Sequence, residues 1–350
     1  MFSEAWRNIR SGSSHLLLFA TALFLLLGAL AASEVTTVGA LVNQATAYRQ
    51  AGATVTTFVS NGAIDGAACQ AMHTIDGVRA AGAIRSSTTQ PLPLATLPAG
   101  PIPTFEATPG LVRVLLPGSN AVPGGVLIPQ DLADTLAARA GTSLYTSGGD
   151  RLTIAAIYPF PSDGRATDLQ NAIIEPVPVT GDFDQCWVET WPYNPDIVAL
   201  ARMTLIADPP AGTAITTGTV NPTLGSDFNA AMLLRTRATA PAWIAALCIG
   251  LSIGAVSVIT RRRHVAEARH AGVHLPAQLL QTIFETVAVP AAALPAAAIA
   301  CAMITPTIDT FSTWLLGIRI LGIGAAATVL GAGLAVTSIR RRALPSYLKD

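Results

Sequence analysis

Arg261, Arg262, Arg263, Glu267 and Arg269, closed by Gly272, stand between two long apolar runs, Trp243 to Ile259 and Leu279 to Ile304. Guanidinium groups stay charged at any physiological pH. Their work is therefore recognition, and a charged helical stretch of this kind is a surface that a soluble partner could grip. The arginines also place the loop on the cytoplasmic side by the positive-inside rule, as the short link of a membrane hairpin.

Few other residues are arranged for chemistry. The chain has no H-E-x-x-H and no carboxylate pair in a catalytic frame, and its one G-x-S-x-G, Gly250 to Gly254, lies inside an apolar run. A P-loop needs a lysine that reaches the phosphates, and Lys349 is the only lysine, without that context. ATP and magnesium would therefore belong to another polypeptide, and no cofactor is expected in this chain. His264, His270 and His274 read as a solvated face rather than a ligand set, and no zinc spacing occurs. Cys69 and Cys186 fall in a segment expected outside the membrane, where disulfides persist, and are expected to pair, against the alternative of two buried thiols. Cys248 and Cys301 lie inside apolar runs. Glu285 and Arg319 are charges within expected spans, roughly 15 Å apart in depth and so not direct partners. Each is close enough to an interface to extend its charge outward, although intramembrane charges often mark function. Gly250 and Gly254 form a GxxxG that suits close helix packing, within or between protomers.

The composition fits that picture. The chain of 350 residues is 51% hydrophobic and 12% charged, with mean hydropathy +0.49, which suits a membrane protein with a sizeable extramembrane part. Net charge is zero, which gives no support for nucleic-acid binding. Arginines gather at Arg7 and Arg10, at Arg261 to Arg269 and at Arg340 to Arg342. Most acids lie between Glu34 and Asp227.

Residues 1–12 read as a cytoplasmic amphipathic helix, with Trp6 beside Phe2 and Ile9 at helical spacing and Arg7 and Arg10 on other faces. A plain basic flank is the competing reading. Residues 13–34 are the first span. Ala29-Leu30-Ala31 imitates a signal-peptide cleavage site, but the run is longer than a signal core, and helical character continues from Val38 to Tyr48. Residues 35–240 form an α+β domain, with about 109–192 as a candidate inserted subdomain. Within it, strands are expected at Ala53–Val59, Val78–Ile84, Leu111–Leu116, Gly125–Pro129, Arg151–Tyr158 and Gln185–Thr190. Helices are expected at Asp65–Ile75, Gln130–Ala140 and Asn194–Ile206, and a loop at Gln90–Pro103. Then come spans at 241–260, 279–304 and 314–339. They are joined by the cytoplasmic loop 261–278 and an external turn at 305–313 and followed by a basic tail at 340–350. Pro290 and Pro295 would bend the third span. The fold class is thus four transmembrane helices, one plus three, with a large α+β domain between the first two. Both termini would be cytoplasmic and the domain outside.

This layout resembles the MacB/FtsX-like permeases of ABC transporters, over essentially the whole chain. Trp6-Arg7-Asn8-Ile9-Arg10 before the first span is similar to the family's inner-surface helix. In the hairpin loop Arg261, Arg262, Arg263, Val265, Ala266, Arg269, Gly272 and Val273 fit the family stretch, while His264, Ala268 and His270 depart from it. Val126-Leu127-Ile128, Asp131-Leu132-Ala133, Gly141 and Arg151 to Ile157 resemble its strand–helix–strand pattern, and Glu285 falls where members often carry a Glu. The resemblance implies a bacterial inner-membrane protein that dimerises with a second permease copy or paralogue. It implies two ATPase subunits on the cytoplasmic face, docked on Trp6, Arg7, Arg10, Arg261, Arg262, Arg263, Glu267, Arg269 and Gly272. ATP-driven closure would reach the outer domain by mechanotransmission, acting on a peptide, a lipid or a partner protein. An FtsX-like regulator of an extracellular cell-wall hydrolase, or a membrane sensor or scaffold, is the alternative reading. A membrane enzyme is disfavoured by the missing catalytic residues.

Overall fold

The protein is described by a computed structural model that covers residues 15–87, 92–118, 124–206, 214–226, 228–305 and 310–339. The expected helix at residues 1–12, with Trp6, Arg7 and Arg10, and the tail at 340–350 lie outside these. The chain divides into a helical unit, residues 1–44 and 232–350, and a sheet unit, residues 45–231.

Among the described residues four helices are long and apolar enough to cross a membrane. Helix α1 (Leu16–Gln50) is unbroken over 35 residues, about 52 Å at 1.5 Å per residue. A hydrocarbon core needs only about 30 Å. In its polar stretch the hydroxyls of Ser33, Thr36 and Thr37 are satisfied by donating to carbonyls one turn back, at Leu30, Ala32 and Ser33. The sheet unit therefore begins at Ala45, later than residue 35, since the helix outlasts its apolar run.

Among the described residues of the sheet unit, nine strands form one mixed sheet in the order β11-β1-β10-β2-β5-β9-β6-β8-β7. The strands are β1 (Val55–Asp65), β2 (Val78–Ser86), β5 (Thr104–Ala107), β6 (Val126–Pro129), β7 (Ser143–Tyr145), β8 (Arg151–Tyr158), β9 (Ile173–Pro176), β10 (Asp182–Thr190) and β11 (Thr216–Thr219). The expected loop at Gln90–Pro103 instead contains a small antiparallel ribbon, β3 (Leu92–Leu94) with β4 (Leu97–Ile102), because Leu94 and Ile102 are buried against Ile128 and Ile154. Helix α2 (Gly66–Ala71) is capped by Asp65, whose carboxylate accepts from the N–H groups of Ala67 and Ala68.

Leu111–Leu116, expected as a strand, is helix α3 (Pro109–Leu115). Pro109 presets the first turn, and Leu111, Val112 and Leu115 then share one buried face. The expected helix at Gln130–Ala140 stops after α4 (Gln130–Thr135), and that at Asn194–Ile206 divides into α5 (Ile197–Leu200) and a 3-10 turn at Ala201–Thr204.

Cys69 of α2 and Cys186 of β10 form a disulfide, both fully buried beside Phe58, Phe183 and Val188. The bridge spans 117 residues of chain.

In the helical unit, α6 (Ala230–Thr236) leads to α7 (Ala242–Ile259), α8 (Arg262–His270), α9 (Leu275–Ile304) and α10 (Thr310–Ser338). Helix α9 remains one helix through Pro290 and Pro295. Helices α7 and α10 touch backbone to backbone. A Cβ on Gly250 would lie 2.3 Å from the Gly324 carbonyl oxygen, and one on Gly254 would lie 2.0 Å from that of Thr328. Gly331 of α10 makes the reciprocal approach, 2.3 Å from the Leu251 oxygen. The GxxxG thus packs within one chain, in the manner of small residues between apolar helices.

Two outcomes test this packing. Gly254→Ala should cost about 1–3 kcal/mol through overpacking, read as a lower melting temperature in detergent. Gly333→Ala, with open space at its Cβ, should be neutral or slightly stabilising. Replacing Cys69 and Cys186 together by Ala should lower the stability of the sheet unit by up to about 4 kcal/mol, from the loop left unclosed. Reductant should then no longer shift the melting temperature of that variant.

Candidate functional site

Helix α8 is short, and its end is fixed by Gly272, whose φ of +94° lies in the left-handed region. The N–H of Gly272 donates to the Arg269 carbonyl at 3.2 Å, and that of Val273 to the Ala268 carbonyl at 3.0 Å. This paired closure satisfies two free carbonyls and turns the chain into α9.

One face of α8 is buried. Ala266 is fully covered by Val258, Ala332, Ala335 and Val336. Arg269 lies on the same face and is only 8% exposed. Its Nε donates to Gln278 Oε1 at 2.7 Å and its Nη2 to the Val336 carbonyl at 2.7 Å, while Nη1 donates to the Ile339 carbonyl. Gln278 in turn donates to the Val265 carbonyl at 2.8 Å. One guanidinium therefore ties α8, α9 and the end of α10 together. The last carbonyls of a helix carry partial negative charge and lack partners within it, so a cation is well placed there.

Arg261 is also turned inward. Its Nε donates to the Ser257 carbonyl at 3.0 Å, and its Nη1 pairs with Glu285 Oε2. Gln281 donates to the other Glu285 oxygen at 3.2 Å. Glu285, read from sequence as a charge within a span, thus has its ion pair with the hairpin loop, while Arg319 is exposed. Beside this pair a cavity of about 360 Å³ is lined by Arg261, His264, Ala268, Gln281, Thr282 and Glu285.

The opposite face of α8 is exposed and carries Arg263, Glu267 and His270, at i, i+4 and i+7, with His264 alongside. Arg262 is half-buried. The sequence reading placed all the loop arginines on one docking surface. The structure divides them: Arg261 and Arg269 face inward because polar groups of α9 and the end carbonyls of α10 need donors, and Arg263 faces outward. Gln278, Thr282 and Glu285 were the missing part of the pattern. They recur on one face at the start of α9, and polar residues at that spacing in an apolar helix are a readable signal.

A second buried pair escaped the sequence reading. Glu34 of α1, 3% exposed, meets Arg237, which follows α6, with Nε–Oε1 at 3.1 Å and Nη2–Oε1 at 2.5 Å. Among the described residues no group of three or more His, Cys, Asp and Glu side chains could hold a metal ion.

No family model and no curated protein matches the chain. Its fold is similar to the periplasmic region of MacB from Actinobacillus actinomycetemcomitans, at 9% identity and a TM-score of 0.33, over 45% of this chain and 84% of that one. It is also similar to a domain of a permease protein from Porphyromonas gingivalis, at 16% identity and a TM-score of 0.33, over 52% of this chain and 95% of that one.

The two faces of α8 should separate experimentally. Arg269→Ala strands Gln278 and two carbonyls and should cost about 3 kcal/mol, seen as a lower melting temperature in detergent. Arg263→Ala, on the exposed face, should stay within about 0.5 kcal/mol of the unaltered chain.

Proposed function

We propose that this chain is the permease subunit of an ABC-type transporter, working with a separate cytoplasmic ATPase. The observation that carries the reading is the build of α8. Its exposed face, Arg263, His264, Glu267 and His270, is free to meet a soluble partner, and its buried face is bonded through Arg269 to two long apolar helices. A push on such a helix is passed to α9 and α10 rather than absorbed in a loose loop.

Three further features support it. The sheet unit is inserted between the first long apolar helix and the other three. Helix α1 passes without a break from residues of the helical unit into residues of the sheet unit. The chain lacks a P-loop lysine, so the energy source would be a partner's. In this reading two permease chains and two ATPases assemble in a bacterial inner membrane. The hairpin and both termini face the ATPases, and the sheet domain works outside on a peptide, a lipid or a partner protein. ATP-driven closure moves α8, then α9 and α10, and α1 conveys the change outward.

The test is co-expression with the ATPase encoded alongside and purification in lipid nanodiscs. Arg263→Glu combined with Glu267→Arg should reduce ATPase recovery at least about tenfold, a loss of about 1.4 kcal/mol of binding, with the melting temperature of the permease unchanged. Full recovery with the double variant would remove α8 as the docking element. A chain that retains no ATPase in any form would remove the transporter reading and favour a sensor or scaffold.

A further inference from the structure

The sheet unit holds a second cavity, of about 550 Å³, whose wall is dominated by three arginines: Arg49 near the end of α1, Arg79 of β2 and Arg113 of α3. Glu189 of β10 is the single carboxylate on that wall among the described residues. The fold brings these residues together for steric reasons. Helix α3 lies directly on β2, because a Cβ on Gly82 would fall 2.0 Å from the Leu111 nitrogen, and one on Gly110 would fall 2.0 Å from the Ala81 oxygen. The Gly110 N–H is held by Gln70 Oε1 at 2.8 Å. This contact sets Arg113 over the strand that carries Arg79, and the β2–β10 register pairs Glu189 with Ala80, next to Arg79.

The charges do not balance internally. Burial lifts the Glu189 carboxyl above the ordinary carboxylate range, against the pull of Arg79 and then of Arg49. Arg79 and Arg113 are both exposed, and neither side chain forms a salt bridge or hydrogen bond with another described residue. Arg49 lies over the Trp191 ring, 5.5 Å from its centroid, and its Nε is buried without a hydrogen-bond partner among the described residues. Leaving such a donor unmet is costly unless a ligand or water meets it. Three guanidiniums against one carboxylate leave two positive charges around one hollow.

We infer that this cavity is a binding site for a phosphate group carried on a larger molecule, either a soluble phosphate ester or a lipid headgroup. Arginine forks match phosphate oxygens in pairs. The excess of two charges suits a dianion, and the volume exceeds what a bare phosphate would fill. The site does not depend on the permease reading.

The test uses the full chain in nanodiscs. In one arm glycerol 3-phosphate is titrated calorimetrically into the protein in pure phosphatidylcholine. In the other the melting temperature is compared in phosphatidylcholine with and without phosphatidic acid. Saturable binding in the first arm assigns a soluble ester; stabilisation in the second assigns a headgroup. In whichever arm responds, Arg79→Gln with Arg113→Gln should weaken the response at least about tenfold, with the ligand-free melting temperature unchanged. Glu189→Gln removes the repelling charge and should tighten binding several-fold, a gain that a misfolded variant would not give. A response in neither arm, or one indifferent to all three substitutions, overturns the inference.

Discussion

The buried guanidinium of Arg269 is the interaction on which the helical unit depends. A charge at 8% exposure would be expensive alone, because desolvation costs several kcal/mol. It is tolerated here because Gln278 and the end carbonyls of α10 accept its hydrogens. The dependence is mutual, since these carbonyls lie at the helix end, where the Val336 oxygen has only a long bond of 3.3 Å from the Ile339 N–H. Apolar contacts alone would let α9 pack against α10 in several registers at similar energy. A directional cluster of this kind allows far fewer, and it fixes α8 relative to its neighbours.

The sheet unit shows the same economy of glycine and charge. Two glycines let α3 rest on β2, and that contact places Arg113 beside the strands that carry Arg79 and Glu189. Elsewhere in the unit two arginines are neutralised directly. Arg85 meets Glu106 with Nε–Oε2 at 2.7 Å, and Arg165 meets Asp163 at 3.1 Å. In contrast to those pairs, three arginines line one cavity with Glu189.

The long apolar helices, the basic hairpin and the Cys69–Cys186 pairing were legible from sequence, because span length, charge asymmetry and compartment are one-dimensional properties. Local elements were less so. Leu111-Val112-Arg113-Val114-Leu115-Leu116 alternates like a strand, yet Pro109 and the groove over Gly82 favour a helix. Gln90–Pro103 looked like a loop from its prolines, but Leu94 and Ile102 had a core to join. The site residues divided in the same way. The arginines of α8 were visible as a group, but which of them turn inward depends on acceptors at Gln278, Val336 and Ile339, and two of those belong to α10. The arginine cavity was not legible, because Arg49, Arg79, Arg113 and Glu189 are far apart in the chain and meet only through the sheet register.

The glycine contacts between α7 and α10 carry a consequence for motion. Gly250, Gly254 and Gly331 each leave room for one carbonyl of the opposing helix, at matched intervals along the pair. Sliding either helix by a single residue would bring a side chain against a backbone oxygen. The two helices therefore behave as one interlocked rod, with no low-cost translation between them. Any displacement passed to α10 must therefore carry α7 with it.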